Sequence, residues 1–302
     1  MGESKSERRV VVACLALIVL SWGTNYPLMK LALDHVSPLG FATFRIVGGA
    51  VFLGLLVLAA HHGRLLPPPE ERWLLGVVGV LQYAAVLAPA GMALHWLPPG
   101  RTVTIVYTMP IWAALFDFLI MRNRLCGLQW TGISISLVGL LLFLAPGVVD
   151  WSNGGAHTGI TLAFVAAASW ALGAVIYGSR RWRSSLLCQA FWQLAVAGTV
   201  LCGFVALTEF PPQVQFSPKL ILILLWNWLV PVSIGVWAWG RVLENMPASI
   251  ASQALLCTPL VGIGLSAMLF EETLPPVFAM SALLIMLGAG LALLRPVMSS
   301  EP

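Results

Sequence analysis

Apolar residues along this chain come in long blocks broken by short polar punctuation, not in the alternation of a half-buried surface element. A helix needs about 20 apolar residues to cross the hydrocarbon core of a bilayer. Ten blocks meet that length, at 10–33, 39–60, 71–94, 98–121, 126–146, 157–178, 184–208, 218–241, 247–270 and 274–295. Gly, Pro and charge gather at the breaks, as in "HHGRLLPPPEER", "APGVVDWSNGG" and "EFPPQVQFSPK". Connections this short force neighbouring spans to alternate in direction and leave no loop able to hold a separate catalytic domain. The pattern predicts an all-α integral membrane protein with ten transmembrane helices.

Composition removes the alternatives. Of 302 residues, 59% are hydrophobic and 9% charged, against about 25% charged in an ordinary soluble domain. The formal net charge of +4 does not point to nucleic acid, because the basic residues fall in ones to threes with no interleaved aromatic patch. Their placement carries a different message. Lys5, Arg8, Arg9, Arg64, Arg72, Arg122, Arg124, Arg180, Arg181, Arg183, Arg241 and Arg295 all fall on one side of a ten-span chain, while Lys30, Arg101 and Lys219 flank the other. Lys and Arg accumulate in short cytoplasmic loops, so both termini are predicted to be cytoplasmic. The opening "MGESKSERRVVVACLALIVLSWG" begins like a signal peptide but lacks a small-x-small cleavage site, and reads as a retained first span. The five cysteines form no Cys-x-x-Cys or His-spaced pattern, and no metal or cofactor is expected.

Displacing the chain against itself by 149 residues pairs Gly91 with Gly240, Pro98 with Pro247, Pro110 with Pro259, Leu125 with Leu274 and Gly139 with Gly288. A displacement of 148 pairs Ser21 and Trp22 with Ser169 and Trp170. The chain thus divides into two units, 1–149 and 150–302, each with five spans. Because five is odd, the second unit enters the membrane inverted relative to the first, which is a transporter architecture. Pro110 and Pro259 are expected near the middle of their spans, where a missing amide hydrogen opens or kinks a helix, and are candidate hinges.

The stretches "SWGTNYPLMK" and "FRIVGGA" in the first unit, and "LLCTPLVGIGLSAMLFEETLPPVFAMSALLIMLGAGL" in the second, resemble the drug/metabolite transporter superfamily, specifically its ten-span EamA branch. The likeness covers nearly the whole chain. Within that branch, the many tryptophans and the two-unit layout look most like aromatic amino acid exporters of the bacterial inner membrane. The resemblance implies two inverted five-helix repeats around a central cavity. The first four spans of each unit would surround it, the fifth would pack outside, and rocking of the units would give alternating access. One departure stands out: "LIMRNRLCGLQW" places Arg122 and Asn123 where the family usually carries Glu, opposite Glu271 and Glu272, which argues against a symmetric gating role for that acidic pair.

Candidate binding residues come from polar groups inside spans. Trp22, Asn25, Tyr26, Met29 and Lys30 share one helical face. Lipid cannot satisfy Asn or Lys, so that stripe faces either a neighbouring helix or a wet cavity. Gln82 and Tyr83 lie mid-way along the third span, and Tyr107 and Thr108 lie along the fourth. In the second unit Trp170, Trp237 and Gln253, with Tyr177, Ser233 and Ser252, supply comparable groups. Arg45 is six residues into its span, about 10 Å below the outer edge. Two compensations for that buried charge stay open: pairing with Asp34 or carbonyls of the first outer loop, or acting with Lys30 to attract carboxylates.

The substrate-binding set is therefore Trp22, Asn25, Tyr26, Lys30, Arg45, Gln82, Tyr83, Tyr107, Thr108, Trp170, Trp237 and Gln253. Of the twelve carboxylates only Asp117 falls well within a span, and the histidines sit near span ends. Proton coupling through a buried titratable group is unsupported, and neutral or zwitterionic solutes fit better. The reading is a multi-pass carrier of the bacterial inner membrane that exports small metabolites, amino acids including aromatic ones, with a multidrug or other metabolite exporter as the alternative. A membrane-embedded enzyme would want a His-Glu-x-x-His, Gly-x-Ser-x-Gly or Asp-rich motif, and the chain has none. The partners expected are a small-molecule substrate and the bilayer; small residues permit a homodimer or a monomer equally.

Overall fold

A computed structural model describes residues 5–59, 65–120, 122, 126–143, 154–209, 213–245 and 255–293. Among the described residues the regular elements are all helical, and extended chain meets only in an isolated bridge between Val36 and Val214. In chain order the helices are α1 (Lys5–Gly23), α2 (Asn25–Ala32), α3 (Pro38–Ala59), α4 (Pro69–Gly79), α5 (Ala85–Ala93), α6 (Pro99–Val106) and α7 (Met109–Ile120). They continue with α8 (Gly127–Phe143), α9 (Ala156–Gly178), α10 (Leu186–Thr208), α11 (Pro218–Asn227), α12 (Gly235–Asn245), α13 (Thr258–Phe270) and α14 (Pro276–Leu293).

Seven helical stretches among the described residues are long and apolar enough to cross a membrane: Arg9–Ala32, Pro38–Ala59, Pro69–Ala93, Pro99–Ile120, Ala156–Gly178, Leu186–Thr208 and Pro218–Trp239. Three shorter apolar helices, Gly127–Phe143, Thr258–Phe270 and Pro276–Leu291, stand at the places of the fifth, ninth and tenth predicted spans.

Four of the long stretches are interrupted, and the sequence supplies the reasons. The first breaks at Thr24, because Pro27 has no amide hydrogen for the Gly23 carbonyl. There the chain closes onto α13: a Cβ on Gly23 would stand 2.6 Å from Val261 Cβ and 2.9 Å from the Thr258 oxygen, so only glycine fits. The fourth parts at Tyr107 and Thr108, ahead of Pro110, which leaves the Val106 carbonyl without its amide partner. The third and seventh carry π-helical turns, Val80–Ala84 between α4 and α5 and Trp228–Ile234 between α11 and α12. Each π turn widens the helix, which is a feature common at functional sites. Their first residues are 148 positions apart.

Pro110 is second in α7, at the break near the middle of the stretch Pro99–Ile120. Pro259 stands near the start of α13, just after a 3-10 turn at Leu255–Cys257, where a proline forfeits no intrahelical bond. Residues 246–254, which would carry the rest of the predicted ninth span, lie outside the described ones.

Two helix pairs organise the bundle. In α3 the buried residues include Phe41, Ala42, Arg45, Ile46, Gly49, Leu53 and Val57, and α10 buries Gln189, Ala190, Gln193, Leu194, Ala197, Leu201 and Val205, the same positions displaced by 148. The two stripes meet through Ala42, Ile46, Ala50 and Leu53 against Ala190, Leu194, Ala197 and Leu201. At the side of the bundle, α8 and α14 pack closely on small residues. A Cβ on Gly288 would lie 2.4 Å from the Gly132 oxygen, and Ser136 Oγ donates to the Ile285 carbonyl at 3.1 Å. Lipid supplies no hydrophobic drive between helices, and close approach on small residues is how they associate there. All five cysteines are free.

The two ends of the bundle differ in charge. One carries Arg9, Arg72, Arg122, Arg180, Arg181 and Arg183. The other holds the turns at 33–37, 94–98, 213–217 and 271–275. At the arginine-bearing end, Glu71 accepts hydrogen bonds from the Arg183 amide at 2.6 Å and the Ser184 hydroxyl at 2.7 Å. At the opposite end Lys219 lies 3.4 Å from Asp34, Ser37 donates to Glu209, and Glu272 accepts from the Gly100 amide at 3.0 Å and from Ser266.

Candidate functional site

A cavity of about 210 Å³ lies among α1, α2, α3, the two π turns, α5, α6, α7, α9, α10 and α12. It begins at the depth of Arg45 and reaches toward the arginine-bearing end, where Tyr177, Leu186 and Trp239 line it. The helix pair α8 and α14 contributes nothing to its wall.

The interruptions in the helices place its polar groups. Asn25 and Tyr26 follow the break at Thr24, Gln82 and Tyr83 lie in the first π turn, and Tyr107 occupies the gap between α6 and α7. With Tyr177, these are all four tyrosines of the chain, gathered on one cavity. Trp22, Trp170 and Trp239 add indole walls; Trp22 is fixed by donating Nε1 to the Pro231 carbonyl at 3.2 Å, inside the second π turn.

Among the described residues, Arg45 is the one charged group lining the cavity, and no aspartate or glutamate lines it. Its side chain is 8% exposed, its Nη1 donates to Asn25 Oδ1, and its Nε has no partner among the described residues. The guanidinium lies within electrostatic reach of the phenols of Tyr26, Tyr107 and Tyr83. Pairing with Asp34, open from the sequence, is not what the fold makes: Asp34 is matched with Lys219. An arginine inside a span costs about 2.5–3.5 kcal/mol on insertion scales at the helix centre. One hydrogen bond to Asn25 returns on the order of 1.5–3 kcal/mol for a charged donor.

Gln189 and Gln193 complete the wall opposite Arg45. Tyr177 donates to Gln189 Oε1, Gln189 Nε2 donates to the Ser184 carbonyl, and Ser184 in turn donates to Glu71. The cavity wall is thereby tied by hydrogen bonds to the junction at the arginine-bearing end. Tyr177 also stacks on Trp182, with centroids 5.4 Å apart and rings 20° from parallel.

Of the residues singled out from the sequence, Trp22, Asn25, Tyr26, Arg45, Gln82, Tyr83, Tyr107 and Trp170 come together on this cavity. Lys30 does not: it donates to the Leu94 carbonyl and borders a separate cleft at the opposite end with Arg101, Glu271 and Glu272. Thr108 is buried, with its hydroxyl donating to Ile105 O at 2.7 Å and accepting from Trp112 Nε1 at 3.2 Å. Trp237 is 47% exposed on the outer face of α12. Gln253 lies outside the described residues. Sequence reasoning passed over Gln189, Gln193 and Trp239. Gln193 carried a usable signal, since it stands 148 residues after Arg45.

A polytopic helical bundle that encloses a small polar pocket between its helices has the build of a membrane transporter. The chain belongs to the EamA-like transporter family, whose model matches residues 10–145 and again 157–294. It is 26% identical to the uncharacterized inner membrane transporter YedA of Escherichia coli, over 95% of this chain and 94% of that one. It is 24% identical to an Escherichia coli protein named "Probable amino-acid metabolite efflux pump", over 90% of this chain and 91% of that one. A solved structure superposes with a TM-score of 0.68 at 21% identity, covering 97% of this chain and 99% of that one, which bears on the fold alone.

Proposed function

We propose that this chain is a carrier of the bacterial inner membrane that exports small metabolites, amino acids including aromatic ones, by alternating access or facilitated exchange. The observation that carries the reading is the cavity: a single buried cation faces four tyrosines, three indoles and three glutamine amides at the heart of the bundle. Small-molecule sites are built as apolar hollows with a few convergent polar groups. The name of the Escherichia coli efflux pump relative is in keeping with amino acids as the solute class.

The same reading completes the architecture. Ten spans arise if the three shorter apolar helices also cross, giving two inverted five-helix units, 1–149 and 150–302, with both termini cytoplasmic. The recurrence of buried positions between α3 and α10, and of π turns at a spacing of 148, supports two units of one design. The breaks at Pro110 and Pro259 are then the flexible points about which the units rock, and Asn25, Tyr26, Gln82, Tyr83, Tyr107, Trp22, Trp170 and Arg45 the residues that meet the solute.

The test is counterflow in liposomes holding purified protein, with labelled aromatic, aliphatic and acidic amino acids and a cationic drug, in the absence of an ion gradient. Saturable exchange of phenylalanine or tryptophan is expected. Exchange of the cationic drug alone would replace this reading with a multidrug exporter.

A further inference from the structure

We infer that the cavity selects small monocarboxylate anions, with an uncharged aromatic or apolar body, over zwitterions of the same shape; in naming the substrate class this rests on the carrier reading. The argument is one of charge balance. Arg45 brings a single positive charge into a pocket that, among the described residues, no carboxylate lines. Asp34, the partner considered for Arg45 from the sequence, does not line the pocket and is matched with Lys219 at 3.4 Å. A monoanion leaves the filled site neutral, a zwitterion leaves it with an extra positive charge, and a cation leaves it with two. Buried charge is tolerated when it is paired, and unpaired charge is what a low-dielectric site rejects.

Geometry agrees with the charge count. Arg45 is more than nine-tenths buried, gives Nη1 to Asn25, and lines the pocket as its one charged group among the described residues, so it is the group a carboxylate in the pocket would meet. An ammonium in the same pocket would find only neutral acceptors, two of which are engaged: Gln189 Oε1 accepts from Tyr177, and the Pro231 carbonyl accepts from Trp22. The remaining wall of indoles, phenols and aliphatic side chains suits an uncharged body.

Three probes share one benzyl group and differ in the amino and carboxyl groups beside it, and so in charge. At pH 6.5, 3-phenylpropionate is an anion, phenylalanine a zwitterion and phenylalaninamide a cation. Full-length protein in nanodiscs is titrated with each, read by quenching of tryptophan fluorescence, since Trp22, Trp170 and Trp239 line the pocket. The expected result is a Kd for 3-phenylpropionate at least about tenfold below that for phenylalanine, a gap worth ~1.4 kcal/mol, with no saturable response to phenylalaninamide. Arg45→Gln should equalise the two acids, and Arg45→Lys, which keeps the charge and loses the fork, should retain the preference at weaker affinity. Phenylalanine binding as tightly as 3-phenylpropionate, a tight response to the amide, no response to any probe, or a preference that survives Arg45→Gln would each overturn the inference. Counterflow with the same three solutes separates the two readings. Exchange that favours phenylalanine leaves the carrier standing without this selectivity, whereas anion-selective binding with no exchange of any probe leaves the selectivity standing without the carrier.

Discussion

Helices α3 and α10 bury the same positions at a displacement of 148 residues and pack on each other through them, yet at the place where each faces the cavity α3 offers Arg45 and α10 offers Gln193. The hydrophobic framework is therefore shared while the chemistry is not. Packing holds the pairs Ala42 and Ala190, Ile46 and Leu194, Gly49 and Ala197, Leu53 and Leu201, and Val57 and Val205 to similar volume, because interiors tolerate little change in size. The cavity-facing pair differs: α3 carries a charge there and α10 a neutral amide. In the function proposed above, a solute's charged end would meet α3 and its body α10.

The strongest way to break that comparison is to move the charge. Arg45→Gln should lower saturable exchange of a carboxylate-bearing solute at least about tenfold, as the loss of a charge-assisted bond of ~1.5–3 kcal/mol requires. The exchanged pair, Arg45→Gln with Gln193→Arg, should recover part of that loss, because the second cation enters the same pocket from the facing helix. A double variant no better than the single one would mean that the two positions are equivalent in sequence but not in what they present to the solute.

Packing gives the next largest effect, and it falls on folding instead of transport. Gly288→Leu would drive a side chain into the Gly132 carbonyl across the α8–α14 contact, and overpacking of this kind costs about 1–3 kcal/mol. Gly264, with nothing near its Cβ direction, should accept leucine within about 0.5 kcal/mol. Thermal unfolding in detergent distinguishes them: a marked loss for Gly288→Leu beside none for Gly264→Leu is expected. Equal melting would remove close packing as the reason for that glycine.

Much of this is legible in the sequence, for identifiable reasons. Blocks of apolar residues fix where helices run, since a backbone in lipid must satisfy its own hydrogen bonds, and the seven long stretches fall on seven predicted spans. Asn25, Tyr26, Gln82, Tyr83 and Tyr107 are visible because polar groups inside apolar blocks have to face something other than lipid. Depth is harder to read. Lys30 sits one turn beyond Tyr26 on the same face, and that single turn carries it from the cavity to the opposite end of the bundle. The helix breaks are partly hidden as well: proline marks them at Pro27, Pro110 and Pro231, but the π turn at Val80–Ala84 contains none.

Hinge behaviour offers a smaller effect. Pro110→Ala restores an amide where the fourth stretch is interrupted at Tyr107, and should slow counterflow several-fold with Kd unchanged. Pro259→Ala acts in a first turn, where the amide has no intrahelical partner to gain, and about a twofold effect is expected. Unchanged rates in both variants would leave neither break a hinge.

The smallest effect belongs to two tryptophans on one helix. The sequence points Trp237 at the cavity because it lies within a span. Val232, Val236 and Trp239 line the cavity at the i, i+4, i+7 spacing of one helical face, and Trp237 falls off that face and is left on the outer side. Trp237→Phe should therefore leave ligand affinity within about twofold, as surface changes generally do. Trp239→Phe should weaken it by a few-fold, in keeping with the ~0.5–1.5 kcal/mol an aromatic contact contributes. The reverse order, measured by the same fluorescence titration, would mean that Trp237 and not Trp239 meets the ligand.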